Sequence, residues 1–412
     1  MKKLMTTALS LAILSTGIAN AANTIVDQAE KATKGMNPST ADLLNARNLI
    51  NEALQDPEFS NDARTYYVAG TIEMKLYDNG FNAQMLGAEN AETDPLNLGA
   101  ELMNGYNYYL QALPLDSLPD AKGKIKPKYS KNIQKAIKDH ILDFYRVGEG
   151  YLQAGKAYPE AYNAFITFAN QPEENLKDVK ASNPMLIPYA YFNAGLNAFN
   201  AQEFDKSAEA FKNSRLTGFE GPDPYNNEIA AWYGVVRTDE NRVNEAKQNI
   251  KAVAQAGYDA FGLEQPIFFT NLINAMVQDG ENAQALAKVN EMISQYPDNP
   301  NLYGLLGFIY SEDNQDDLSL DAYQKAVSQQ DVPAEVYKNA SNKFLRVGRD
   351  KWNALDFTSS TINQDKQDIK AQYFDKSLEY ANKAKKALKE GEYDPDIDNL
   401  IDSVNYIIET NF

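Results

Sequence analysis

Apolar and small residues recur on a fixed schedule through the second half of the chain. Counted from Phe269, the positions Leu272, Ile273, Met276, Ala285, Val289 and Met292 fall at offsets +3, +4, +7, +16, +20 and +23. A step of 34 residues forward lands on Tyr303, Leu306, Gly307, Tyr310, Ser319, Tyr323 and Ala326. The same offsets counted from Tyr191 give Ala194, Gly195, Ala198, Ser207, Phe211 and Ser214. Offsets 0, +3, +4 and +7 mark one face of a helix, and +16, +20 and +23 mark one face of a second. Between them lie the turn residues Asn200-Ala201-Gln202, Asp279-Gly280-Glu281-Asn282 and Glu312-Asp313-Asn314-Gln315. The expected unit is a helical hairpin, with small residues at +4 and +16 allowing close approach and the aromatic at zero filling the gap to the next unit. A single hairpin cannot bury its own apolar face, so the units must stack.

Tyr303, Leu306-Gly307, Tyr310 and Tyr323-Gln324-Lys325-Ala326, with the closing turn Tyr296-Pro297-Asp298-Asn299-Pro300, resemble the tetratricopeptide repeat. The resemblance implies an all-α fold, an α-solenoid of stacked hairpins whose first helices line a concave groove. Weaker copies extend it over most of the chain: Tyr66, Ala69 and Gly70 with Gly105, Tyr109 and Ala112, then Phe144, Val147, Gly148 and Tyr151 with Ala161, Phe165 and Phe168. A poorer unit runs from Ile229 through Trp232 to Ala246, Ile250 and Val253, and Ala46, Ile50 and Ala53 read as a second helix without a convincing first.

Two units depart from the pattern in the same way, each carrying extra residues between its helices. These insertions fall near residues 77–99 and 348–370, and the second recovers its register at Phe374-Asp375-Lys376-Ser377, a repeat of Phe204-Asp205-Lys206-Ser207. They are expected as lengthened helices or solvated loops, with Met85, Trp352 and Phe357 as candidate contact residues on them. The expected organisation is an export segment at 1–21, N-terminal repeats over 22–116, a lysine-rich linker and helix start over 117–139, and central repeats over 140–331. A final repeat over 332–392 and an amphipathic capping helix over 393–412, bearing Ile397, Leu400, Ile401, Val404 and Ile408, complete it.

Composition narrows the chemistry. The chain has 412 residues, one histidine and no cysteine, which removes thiol nucleophiles, cysteine metal sites and disulfides. His140 stands in a helix-like run without convergent partners and reads as a structural histidine. P-loop, zinc-protease and nucleophile-elbow signatures are absent, and two tryptophans and one histidine are few for a sugar-cleaving cleft. No enzyme and no cofactor are therefore expected. Asp394-Pro395-Asp396-Ile397-Asp398 alternates acids as calcium loops do, but lacks the glycine and glutamate that such loops need, and reads as a helix cap.

Lys2 and Lys3, the apolar stretch from Leu4 to Ile18 and Ala19-Asn20-Ala21 make a secretory signal. Its removal takes two basic residues and moves the formal charge from −18 to −20. No later run suits a membrane span, and an exported chain without disulfides fits the periplasm of a Gram-negative bacterium. So acidic a body repels nucleic acid, and also anionic membranes over any long stretch. Against it stands a local reversal: Lys122, Lys124, Lys126, Lys128, Lys131, Lys135 and Lys138, with no acid among residues 121–138. That run reads as a solvated linker feeding a helix, or as a docking site for an acidic partner or polymer.

The resemblance also places candidate groove residues, because offsets +1, +2, +5, +8 and +9 face the concave side. These are Phe192, Asn193 and Phe199 in one unit, Asn271 and Asn274 in the next, Phe308 in the third, and Lys338, Asn339, Asn342 and Arg346 in the fourth. Asparagine is a poor helix former, and it recurs at +2 in three units; its amide can both donate to and accept from the main chain of an extended peptide. Peptide-clamping members of the family hold a ligand carboxylate with Asn and Lys, which Lys338, Asn339 and Asn342 match in part, while Gly304 and Leu305 fill the slots of a neighbouring clamp residue. The expected function is a scaffold for protein or extended-peptide partners in the cell envelope. The alternative is a SusD-like glycan- or polymer-binding helical protein, stacking ligand on Tyr189, Phe192, Phe199 and Trp352.

Overall fold

The computed structural model describes residues 24–412 apart from Met36, Asn37, Ala121 and Lys156, and the expected export segment 1–21 lies outside the described residues. Regular structure among the described residues is helical, with an isolated antiparallel bridge between Pro119 and Ile125. The chain divides into two compact units, one ending at Gly234 and the other running from Val235 to Phe412, a division that falls inside the segment expected to hold the central repeats.

In the first unit the helices are α1 (Ile25–Thr33), α2 (Thr40–Gln55), α3 (Ala63–Met85), α4 (Pro95–Asp116), α5 (Ser130–Asp139), α6 (Ile141–Ala154), α7 (Tyr158–Ala169), α8 (Glu173–Ser182), α9 (Leu186–Asn200) and α10 (Phe204–Leu216). Helix α11 (Asp223–Thr238) begins there. The second unit holds α12 (Val243–Phe261), α13 (Pro266–Gln278), α14 (Asn282–Gln295), α15 (Pro300–Glu312), α16 (Asp316–Val327), α17 (Ala334–Asn353), α18 (Ile362–Ile369), α19 (Asp375–Ala387) and α20 (Pro395–Asn411). Helices pair as consecutive hairpins, α1 with α2, α3 with α4, α6 with α7 and α9 with α10 in the first unit, and α13 with α14, α15 with α16 and α17 with α19 in the second. Each unit is thus a stack of tetratricopeptide-like hairpins.

The 34-residue template has a specific physical content. A Cβ on Gly195 would stand 2.7 Å from the Phe211 ring and one on Gly307 2.8 Å from the Tyr323 ring, so the +4 glycine is the socket into which the +20 aromatic fits. Gly148 and Phe165 repeat the arrangement. The +16 serine then ties the helices together: the Ser207 hydroxyl donates to the Gly195 carbonyl at 2.9 Å, and Ser319 to the Gly307 carbonyl at 2.7 Å. The turns are in register as well. At offset +11 Gln202, Gly280 and Asn314 all take positive φ (61°, 77° and 55°), and the next amide in each case closes the helix end on the +7 carbonyl, at 2.8 to 2.9 Å.

Both insertions are absorbed mainly by helix. Helices α3 and α4 run to 23 and 22 residues, with the short 3₁₀ turn Ala91–Thr93 in the link between them. Helix α17 runs to 20 residues, and α18 continues through a π turn at Lys370–Phe374 into α19. The hairpin lock survives this second insertion, since Ser377 donates to the Ser341 carbonyl at 2.9 Å and Ser341 to the Ser377 carbonyl at 2.7 Å. Met85 is exposed, whereas Trp352 is half-buried against Phe357 and Phe412. The first helix that the sequence did not make evident is α1, short but sufficient to set Val26 and Ala29 on Leu43, Ala46 and Ile50. At the other end Leu400 and Val404 of α20 cover Leu345, Phe374 and Ala381.

Candidate functional site

In the second unit the first helices of three successive hairpins, α13, α15 and α17, line an open groove of about 560 Å³. Asn274 and Gln278 face it from α13, Phe308 and Ser311 from α15, and Asn339 and Asn342 from α17. Asn339 and Asn342 are exposed and Phe308 half-buried, so amides able to donate and accept share the groove with one aromatic ring. The +5 slot is the one that all three helices turn inward, because Asn274, Phe308 and Asn342 share it.

One end of the groove is cationic. The Lys343 ammonium, on a side chain only 3% exposed, meets Asp316 Oδ1 at 2.5 Å and Ser311 Oγ at 3.1 Å. Arg346, half-exposed, reaches the same two atoms at 3.4 and 3.1 Å. Two cations therefore share one carboxylate oxygen, which leaves a local positive excess facing the amides. The Lys343 hydrogen bond holds the Asp316 carboxyl below the usual carboxylate range. Such an arrangement accepts a further anion or carboxylate and offers hydrogen bonds to an extended main chain beside it.

Of the residues expected in a groove, Asn274, Phe308, Asn339, Asn342 and Arg346 come together here. Lys338 does not: its ammonium bridges Glu335 at 2.8 Å and Asp394 at 2.9 Å, tying α17 to the start of α20. Asn271 is half-buried on α13 and lies outside the lining set. Phe192, Asn193 and Phe199 belong to the first unit, where Phe192 packs on Phe211 and Phe219, Phe199 on Phe204, and the Asn193 amide donates to the Tyr145 hydroxyl at 3.4 Å. Tyr189 also meets Phe219, at 4.9 Å, so these rings cover one another's faces. Lys343 was not predicted. It stands at +6, between a buried and a groove-facing slot, and its partner Asp316 lies 27 residues earlier, a pairing that helical periodicity does not encode.

Other charge clusters have structural partners. His140 donates from Nδ1 to the Ala136 carbonyl at 2.8 Å, and its Nε2 lies 3.0 Å from Asp78; burial opposes its charge, but Asp78 and the carbonyl raise its pKa overall. Asp394 caps α20 by accepting from the Asp396 amide at 2.9 Å. In the first unit Arg47 binds Glu73 through two bonds of 2.7 and 2.6 Å and Glu101 through one of 3.2 Å. Burial outweighs Arg47 at Glu101 and pushes its carboxyl up to about 7. No cluster of three or more metal-ligating side chains occurs among the described residues.

No protein-family model and no curated protein matches the sequence. Solved structures similar to the chain include the TPR domain of P58(IPK), at 10% identity and TM-score 0.25, over 93% of this chain and 98% of that one. The APC/C hetero-tetramer Cut9–Hcn1 is similar at 11% identity and TM-score 0.29, over 89% and 87%. Yeast Tom70 is similar at 13% identity and TM-score 0.20, over 96% and 67%. The hairpin fold rests on the packing, hydrogen bonds and turn geometry described above.

Proposed function

We propose that the chain is an exported, non-enzymatic scaffold of the cell envelope whose α13–α15–α17 groove binds an extended peptide segment of a protein partner. The observation that carries this reading is the juxtaposition of four side-chain amides and Phe308 with the Lys343–Arg346 end of one groove. The amides suit a main chain, Phe308 suits an apolar side chain, and the cationic end suits a peptide carboxylate. Export rests on the segment 1–21, and N-terminal sequencing of the native protein should begin at Ala22.

The groove is tested by selecting ligands from a library of peptides with free C-termini and measuring their affinity by fluorescence anisotropy. Replacing Asn339 and Asn342 together by Ala should weaken binding by about tenfold, the loss of one to two hydrogen bonds, without lowering the thermal transition. A library that yields no binder, or binders indifferent to these variants and to Arg346→Ala, removes the reading. Retention on a polysaccharide matrix with no peptide ligand would favour the glycan-binding alternative.

A further inference from the structure

The segment between α4 and α6 carries charge opposite to that of the chain around it. Lys122, Lys124, Lys126 and Lys128 are all exposed on the loop that leads into α5. On α5 the solvent face continues them with Lys131, Lys135 and Lys138, at i, i+4 and i+7, while Ile133 and Ile137 bury the opposite face. The acids that pair with this run stand at its two edges, Asp120 4.0 Å from Lys126 and Asp139 2.5 Å from Lys135.

The loop is built, not slack. Asp116 accepts from the amides of Lys128, Tyr129 and Ser130 at 2.8 to 2.9 Å and from the Ser130 hydroxyl at 2.6 Å. Asp120 accepts from the amides of Lys122 and Lys124, both at 2.9 Å, and the Pro119–Ile125 bridge closes the turn. This geometry holds two aliphatic side chains out among the lysines: Leu118 is 61% exposed and Ile125 62%.

We propose that this loop and the lysine face of α5 form a docking surface for an anionic phospholipid bilayer. Lysines beside an anionic leaflet each add favourable energy, and an apolar side chain at the centre of a basic patch enters the headgroup boundary. The charge of −18 does not prevent this, because at physiological salt acids more than about 8 Å from the patch are largely screened from it. The net charge therefore repels an anionic membrane from the body of the chain without speaking for a patch of this size. A soluble polyanion would pair with the lysines but would leave Leu118 and Ile125 in water. Nucleic-acid bases would look for aromatic faces, and the nearby Tyr129 ring is stacked on Tyr67 at 4.6 Å.

The absence of cysteine makes a local test available. Ile125→Cys in the full chain, labelled with a nitrobenzoxadiazole fluorophore, is mixed with phosphatidylcholine vesicles with and without phosphatidylglycerol, and Leu216→Cys serves as a control on another exposed surface. The probe at 125 should brighten and shift to the blue on phosphatidylglycerol vesicles alone, with the control unmoved, which also separates this contact from any membrane attachment through the apolar segment near the N-terminus. Replacing Lys122, Lys124, Lys126 and Lys128 by Gln should weaken the response about 1,000-fold, and circular dichroism should be unchanged because all four are exposed. A probe silent on anionic vesicles, an equal response on neutral ones, or a quadruple variant that responds like its parent would overturn the proposal. Heparin binding that depends on the lysines while the probe stays silent on vesicles would reassign the surface to a soluble polyanion.

Discussion

Enclosing a lysine is costly unless its charge is met, and the groove meets Lys343 with a carboxylate that Arg346 also reaches. Lys343→Met should therefore change stability by under about 1 kcal/mol, since Arg346 still faces Asp316. It should also return the Asp316 pKa upward, which NMR titration of its carboxyl carbon would register; an unmoved Asp316 would mean that Lys343 does not set its charge. A second residue-scale consequence follows from Glu101, whose folded pKa of about 7 lies above its unfolded value. The group binds a proton more tightly when folded, so its contribution is fully present below about pH 4.5 and is lost as pH rises through 7. Arg47, Glu73 and Glu92 are the charges around it. Glu101→Gln should flatten that slope by about 1–2 kcal/mol after allowance for solvent screening, as measured by urea titrations at several pH values. A third concerns the turns. Gln202 takes φ 61° where the matching turn uses Gly280, so Gln202→Gly should stabilise the first unit by about 0.5–1 kcal/mol, and a loss of stability would show that the Gln202 side chain contributes more than its backbone costs.

At the scale of elements, the sequence was most informative where one helix dictates the residue on the next. Offsets +4, +16 and +20 are legible because a glycine socket, a serine donor and an aromatic plug must coincide in space, and the structure shows those three groups touching. Gly307→Ala should cost about 1–3 kcal/mol, because its Cβ would be driven into the Tyr323 ring, and differential scanning calorimetry would measure it. Less was legible where partners are set by tertiary placement. Lys338 occupied a groove slot by count, yet Asp394 beyond α19 draws it away. The same applies to α1, whose nine residues hold two fully buried side chains and offer too short a pattern to register by period alone. The insertions, too, were visible as lost register, but that they would lengthen helices depended on propensity over stretches with no repeat to compare.

For the whole molecule, the mean charge is a poor guide to any one surface. The lysine face of α5 and the Lys343–Arg346 end of the groove are both positive on a chain of −18, and each becomes visible only when charges are sorted by position. The serine locks of the α9–α10, α15–α16 and α17–α19 hairpins have a different consequence at this scale. Because every lock joins a hairpin to itself, folding can begin in any one of them and spread to its neighbours without first closing a long loop. The nine or so residues that separate the +7 and +16 positions in a regular unit make such a start fast. The second insertion stretches that separation to 33 residues between Phe344 and Ser377, so the α17–α19 hairpin should be the last of its unit to acquire amide protection in a pulsed hydrogen-exchange experiment, and the serine pair that closes it the slowest clasp in the stack.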